Sequence, residues 1–167
     1  MYRKNEFVMH RGEGVCLVED IRTERFPGTA PRSYYILRPV YENTSTTVFL
    51  PVDSGETRLR SLLTPETLNK LPKAAEDLPS VWTDNERERQ EKFSRLLREG
   101  DPAVLFKLMT EICIHRKKQA ALGRKLRFFD ERTLQEIERL FSQECAHVMQ
   151  VEKEEALVHL RRSCAEK

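Results

Sequence analysis

GEGVCLVEDI, residues 12–21, opens the part of the chain that decides its fold. Two further segments follow, YYILRP (residues 34–39) and TTVFLPVD (residues 46–53). All three are short, rich in Val, Ile, Tyr and Phe, and bounded by Gly, Pro, Asn or Ser, which is typical of strands in an all-β module. With shorter candidates near residues 6–10 and 57–61, they predict about five strands and a small SH3-like or Tudor-like barrel over residues 1–63.

Pro51 indicates where its strand lies in the sheet of that barrel. Proline has no N–H to donate to a strand ladder, so a strand that contains it is expected at a sheet edge. An edge strand is also where a partner can add a strand of its own. Barrels of this kind bind peptides, partner domains or nucleic acid more often than they catalyse.

From residue 62 onward the apolar pattern changes to a helical period. Thr64 and Pro65 predict the N-cap and first position of a short helix, followed by a proline-bearing linker from Leu71 to Trp82. Residues 64–82 are therefore interpreted as short helix and linker, and residues 83–167 as an all-α domain of about four to five helices. Thr83 with Glu86 predicts a capping box at the start of this domain. The expected fold class is α+β.

Capping and breaking residues predict where the helices of the second half begin and end. Gly100 is expected to end one helix, and Asp101 with Pro102 to begin the next. Asp130 is expected as the N-cap of the longest helix. The apolar phase of the last two helices fits either one helix or two.

The composition and motifs of the chain do not indicate an enzyme. The 167-residue chain is 39% hydrophobic and 34% charged, with no run of roughly eighteen apolar residues that predicts a membrane span. It contains no phosphate-binding glycine loop, GxSxG, HExxH or Cys/His set with zinc spacing. We therefore expect no enzyme activity, cofactor or metal. No signal-peptide pattern begins the chain and its four cysteines are scattered, so a cytoplasmic protein with reduced thiols is expected.

The net charge of +2 conceals a local basic patch. Residues 112–129 contain no acidic residue but carry Arg116, Lys117, Lys118, Arg124, Lys125 and Arg127. Such a patch is a candidate contact for phosphate groups. The plainer alternative is a solvated helix end whose cations suit the helix dipole.

Trp82 is the one tryptophan, and it lies outside any periodic apolar face. One interpretation is an anchor that docks the linker on the helical half. The other is an aromatic wedge near the surface of a basic domain, which could stack on bases.

Taken in order, these features resemble the CarD family (also called CdnL) of bacterial RNA polymerase-binding transcription regulators. The resemblance rests on HRGEGVCLVEDI (residues 10–21), YYILRP and TTVFLPVDSGETRLRSLLTPE (residues 46–66). In the second half it rests on the lone Trp82 after a proline-bearing linker, on REGDP (residues 98–102) and on CAHVMQVEKEEALVHL (residues 145–160).

The resemblance implies that the first domain binds the RNA polymerase β subunit. It implies that the helical domain contacts promoter DNA at the upstream edge of the transcription bubble, where the tryptophan acts as a wedge that stabilises the open complex. It further implies a cytoplasmic, nucleoid-associated monomer. The expected DNA contacts are Trp82, Arg87, Arg89, Arg116, Lys117, Lys118, Arg124, Lys125, Arg127 and Arg132. The expected polymerase contacts are Glu24, Arg25, Thr47, Phe49 and Pro51.

One departure from the family pattern keeps a rival hypothesis open. The family usually follows its tryptophan with a compact basic run, whereas this chain has TDNERER (residues 83–89), which interleaves acids with arginines. The rival is a protein–protein adaptor whose Tudor-like domain binds a partner while its helical half does not bind DNA.

Overall fold

A computed structural model of the chain describes residues 1–42 and 45–165. The chain divides into two compact units, Met1–Leu63 and Thr64–Lys167. The first unit is built on a five-stranded antiparallel sheet and the second on helices. This arrangement confirms the predicted α+β class. Within the described residues, no helix is long and apolar enough to cross a membrane.

The sheet of the first unit has the order β4-β3-β2-β1-β5. Its strands are β1 (Phe7–His10), β2 (Gly14–Glu24), β3 (Arg32–Pro39), β4 (Val48–Pro51) and β5 (Leu59–Ser61). All five lie where the sequence predicts strands, although the last begins two residues later than expected. The core of this unit comprises Val8, Cys16, Val18, Tyr35, Leu37, Leu50 and Leu59.

β4 is an edge strand, as Pro51 predicted. It pairs with β3 in a register that sets Phe49 opposite Ile36 and Pro51 opposite Tyr34. No strand pairs with its other side among the residues that the structure describes. That side therefore presents a free ladder edge.

Between β4 and β5 the chain forms a short helix, α1 (Val52–Arg58), which the sequence did not predict. Asp53 in its first turn and Arg58 in its last suit the helix dipole. Gly55 faces the ring of Tyr35 so closely that a Cβ would lie 2.7 Å from Tyr35 Cε2. Glycine is therefore needed for α1 to pack against β3.

The second unit comprises α2 (Pro65–Glu76), α3 (Glu86–Glu99), α4 (Pro102–Ala121), α5 (Phe128–Met149) and α6 (Lys153–Ala165). Its core is drawn chiefly from the apolar faces of α3 to α6. The most deeply buried core side chains are Phe93, Leu108, Met109, Ile112, Leu134 and Ile137. Gln150, in a left-handed conformation, separates α5 from α6, so the last two helices are distinct.

Several predicted helix ends are confirmed. The Thr64 side chain accepts a hydrogen bond from Thr67 N at the start of α2. The Asp101 side chain accepts from Val104 N at the start of α4, with Pro102 in the first turn. Gly100 ends α3 with φ of 67°, a conformation that glycine adopts without strain.

The linker prediction is wrong over residues 71–76, which continue α2 through Pro72. Leu71 and Ala75 are buried, and we attribute the persistence of the helix past the proline to this packing. The whole segment 64–82 lies within the second unit.

Two predicted N-caps are also wrong. α3 begins at Glu86, and its cap is Asn85, whose Oδ1 accepts from Glu88 N at 3.1 Å. The predicted box of Thr83 and Glu86 is displaced by two residues because asparagine caps at least as well as threonine. α5 begins at Phe128, so Asp130 lies inside its first turn.

Candidate functional site

A single carboxylate fixes the backbone of the segment that carries Trp82. Glu111 Oε2, from α4, accepts hydrogen bonds from Ser80 Oγ (3.2 Å), Val81 N (3.0 Å) and Trp82 N (2.8 Å). Lys107 Nζ lies 3.8 Å from the other carboxylate oxygen. This contact anchors the chain just before α3 to the face of α4.

The Trp82 ring is half-buried among side chains of α3 and α4. It stacks on His115 with ring centroids 4.0 Å apart and an interplanar angle of 29°. The edge contact with Phe93 has a centroid distance of 5.9 Å. Trp82 Nε1 donates to Asp84 Oδ1 at 3.1 Å. The indole is thus held in one orientation while part of it stays exposed.

Arg89 is buried beneath this ring, although the sequence predicted a DNA contact for it. Its Nε and Nη2 donate to the two carboxylate oxygens of Asp130 at 3.0 and 3.1 Å. Its Nη1 donates to Thr83 O at 2.9 Å, and its Cζ lies 4.6 Å from the Trp82 ring centroid. The guanidinium therefore ties α3 to α5 and supports Trp82, which corrects its predicted placement at the surface.

Trp82 and the basic loop between α4 and α5 line a common pocket of about 230 Å³. Gly123, with φ of 67°, ends α4 and turns the chain into this loop. The pocket is lined by Trp82, Asp84, Arg89, His115, Gln119, Arg124, Lys125, Arg127 and Asp130. The structure thus brings together the aromatic residue and part of the basic window, which are more than thirty residues apart in sequence.

The other predicted DNA contacts do not line this pocket. Arg87 is exposed on α3 and lies 3.3 Å from Glu91. Arg116 is half-buried on α4, whereas Lys117 and Lys118 are exposed there. Arg132, on α5, has its Cζ 5.7 Å from the ring centroid of Phe128.

Acidic groups moderate the charge of the pocket. Arg127 Nη1 lies 3.0 Å from Glu86 Oε2. Asp84 and Asp130 line the same pocket as Arg124 and Lys125. The acids of TDNERER are therefore placed next to the loop cations, so the pocket has mixed charge.

His115 lies within the basic window of residues 112–129, but the sequence did not predict it as a DNA contact. Burial lowers its pKa from the ordinary value of 6.5, and the nearby Arg89 lowers it further. Asp130 and Asp84 act in the opposite direction. His115 lies four residues after Glu111 and shares its face of α4, but no local pattern in the sequence pairs it with Trp82.

A second candidate surface lies in the first unit, around β4. Phe26 and Phe49 are each 39% exposed, and their ring centroids are 5.6 Å apart. Phe26 also contacts Tyr34, at 5.3 Å between centroids. These three rings form an aromatic cluster at the edge of the sheet.

The predicted polymerase contacts lie beside this aromatic cluster. Glu24 ends β2 and the exposed Arg25 follows it, while Thr47 directly precedes β4. Phe49 and Pro51 belong to β4 itself. Phe26 connects the two groups, since it follows Arg25 in the chain and packs on Phe49. Phe26 is not among the residues that the sequence predicted as polymerase contacts.

No group of His, Cys, Asp and Glu suited to a metal ion occurs among the residues that the structure describes. Cys145 carries a thiol whose pKa burial raises to about 12. The chain has two Cys-x-His pairs, at 113–115 and 145–147, and each lies within one helix, where residues two apart point to different faces.

Comparison with known proteins matches the first unit to a protein family. Residues 2–63 match the family described as the CarD-like/TRCF RID domain. The match covers nearly all of the first unit, so the CarD resemblance is confirmed there, and the match indicates a domain of the RNA polymerase-interacting type. No curated protein matches the chain.

Proposed function

We propose that this chain regulates transcription by linking RNA polymerase to promoter DNA. The proposal starts from the first unit, which matches the CarD-like/TRCF RID domain family. The first unit would bind the β subunit. The helical unit would contact DNA at the upstream edge of the bubble and stabilise the open complex. The protein would act as a non-enzymatic monomer in the cytoplasm, associated with the nucleoid through polymerase.

The observation that carries the DNA part of this proposal is the pocket that Trp82 shares with Arg124, Lys125 and Arg127. A partly exposed indole can stack on a base or insert at a distorted base step. Adjacent cations can neutralise phosphates on either side of that step. A rigid aromatic ring next to flexible cations suits a junction between duplex and melted DNA.

The polymerase part is supported by the edge position of β4. Its free edge can accept a strand from a partner, since an extended segment can continue an open ladder. The aromatic cluster of Phe26, Tyr34 and Phe49 supplies the large rings that often anchor interfaces. Arg25, exposed beside the cluster, can pair with an acidic residue of the partner.

Replacement of Trp82 tests the DNA role. Trp82→Ala should shorten the lifetime of the open complex by roughly five- to a hundredfold, the equivalent of about 1–3 kcal/mol of stacking. The decay of preformed open complexes, challenged with competitor, measures this effect. The exposed Val158 on α6 gives a control variant, Val158→Ala, for which we expect unchanged decay.

Thermal unfolding of the same variant separates the wedge from the anchor. Because Trp82 contacts Phe93, His115 and Arg89, some loss of stability is expected with either role. A wedge shows accelerated decay at temperatures where the variant is fully folded. Lower stability together with normal open-complex decay would refute the wedge.

The adaptor alternative is favoured by one observation, the acids around the pocket. Glu86 pairs with Arg127, and Asp84 lies beside the indole. An adaptor would bind polymerase with equal affinity in the presence and absence of promoter DNA. Salt-dependent binding of the polymerase-bound protein to a forked DNA would reject this alternative.

A further inference from the structure

Trp82 makes its closest ring contact with His115. The centroid distance of 4.0 Å and the angle of 29° describe a nearly parallel stack. The neighbouring contacts differ in kind, since Phe93 meets the indole at 61° and Arg89 approaches with its guanidinium. His115 is therefore the flat surface against which the indole plane is set.

We propose that His115 is a positioning residue for Trp82: its ring, stacked on the indole, holds the indole in the orientation that contacts DNA. This inference rests on the proposed function. It extends that function by naming the group that keeps the wedge in place. It also makes the orientation of the Trp82 ring dependent on pH.

Two residues on one face of α4 hold different parts of Trp82. Glu111 fixes the backbone of Trp82, and His115, one turn later, fixes its ring. Without the second contact, the backbone would stay in place while the indole gained access to other side-chain rotamers. DNA would then have to select the productive rotamer from several.

The charges around His115 favour its neutral form. Cations approach it from three sides: from α3, from its own helix and from the α4–α5 loop. Those that act on it or line the same pocket are Arg89, Lys118, Arg124, Lys125 and Arg127. Asp84 and Asp130 oppose them, yet the pKa of His115 is lowered, with burial as the largest cause. Protonation would add a further cation to this crowded site.

The sole tryptophan of the chain makes the contact measurable. Because no second indole contributes, the emission of the free protein reports Trp82 alone. A protonated imidazolium in van der Waals contact quenches indole emission. The emission of the unaltered protein should therefore fall on acidification, with a midpoint below the ordinary histidine value of 6.5. Measurement on the free protein avoids the effect of DNA phosphates, which would favour the protonated form.

Two substitutions test the proposal, with a third as matched control. His115→Phe keeps a flat ring without a titrating group, whereas His115→Ala removes the stack. His147→Phe makes the same exchange at a half-buried histidine of α5 that does not line the pocket. The readouts are the pH dependence of emission, thermal unfolding and the lifetime of the open complex.

We expect His115→Ala to shorten the open-complex lifetime about two- to tenfold, the range of an aromatic pair. His115→Phe should restore the lifetime and abolish the emission titration, while His147→Phe should preserve both. Should His115→Ala fail to fold, the Phe variant decides: loss of the titration with a normal lifetime supports the proposal.

Two results would overturn the positioning role. One is an emission that does not titrate in the unaltered protein. The other is a His115→Phe variant that is folded yet loses open-complex stabilisation. If the unaltered protein has no effect on the open complex, the proposed function fails instead, and the emission titration still decides whether His115 holds Trp82.

Discussion

At the scale of single residues, Glu111 holds the backbone of the segment that carries Trp82. One of its oxygens receives three donors from residues 80–82. A carboxylate can accept several hydrogen bonds, and bonds to a charged acceptor are stronger than neutral ones. No sequence pattern marks this role, because a glutamate in a helix is far more often exposed.

Glu111→Ala is therefore expected to lower stability by about 1–3 kcal/mol, since it leaves Val81 N in a partly buried site without its acceptor and leaves Trp82 N only its longer bond to Ser80 Oγ. Unfolding by denaturant measures this change, and the emission of Trp82 should shift to longer wavelength as the ring gains water. Glu99→Ala is the matched control, because Glu99 is exposed and pairs with Arg95 across one helical turn. Such a pair contributes about 0.3–0.5 kcal/mol. Equal losses in the two variants would contradict the role assigned to Glu111.

At the scale of elements, local pattern predicted the strands well and the helix ends less well. The strands are marked by composition and by turns within a few residues, so β1 to β5 could be located from sequence. α1 was missed because its stability depends on Gly55 against Tyr35, a contact with another strand. Thr83 and Asp130 both look like caps locally. Asp130 is instead the partner of Arg89, 41 residues away.

The same limit applies to the candidate site. The basic window and Trp82 were each visible in the sequence, but their common pocket depends on the packing of α3, α4 and α5. Arg89 was expected at the surface because the family resemblance implied a DNA contact there. Its burial depends on a carboxylate from another helix, which no local pattern contains.

The edge strand β4 permits a prediction about polymerase binding. Phe49→Ala combined with Arg25→Glu should weaken binding to a β-lobe fragment about tenfold or more, because exposed aromatic and arginine side chains are frequent hot spots. Affinity measured with the full-length chain tests this. Phe7→Ala is a close control, since Phe7 is also 39% exposed but lies on β1. Similar losses for both variants would argue against an interface at β4.

The loop between α4 and α5 permits a second prediction at this scale. Replacement of Arg124, Lys125 and Arg127 by alanine should reduce the slope of log affinity for DNA against log salt by roughly one unit for each phosphate that the variant no longer neutralises. The smallest share is expected from Arg127, which already pairs with Glu86. A variant with three exposed cations outside the pocket replaced, Lys70, Lys73 and Arg95, serves as control. An unchanged slope in the loop variant would leave the loop as solvated surface.

At the scale of the whole molecule, both units contain histidines that folding keeps neutral. In the first unit, burial lowers the pKa of His10, and its Nδ1 accepts hydrogen bonds from Gly12 N and Glu13 N. In the second unit, burial lowers the pKa of His115 and of His147. Each of these rings takes up a proton more readily in the unfolded chain, where its pKa is near 6.5.

It follows that both units should lose stability in acid. Their histidines contribute stability that is fully present above about pH 6.5 and is lost as the pH falls toward the lowered native values. Thermal unfolding followed by circular dichroism should show this loss between about pH 7.5 and pH 5. Trp82 emission follows the second unit alone, because the first contains no tryptophan.

Substitution of the histidines shows whether they cause this loss of stability in acid. His10→Gln should flatten the pH dependence of the first unit, and His147→Gln that of the second. Val158→Ala, at an exposed position of α6, is the control and should leave both slopes unchanged, because it removes no titrating group. The pKa of Asp20 is also lowered, chiefly by a hydrogen bond from the backbone of Ile21, and that carboxylate affects stability only at more acidic pH. A stability that is constant from about pH 7.5 to pH 5 would show that burial of these histidines imposes no proton linkage on folding.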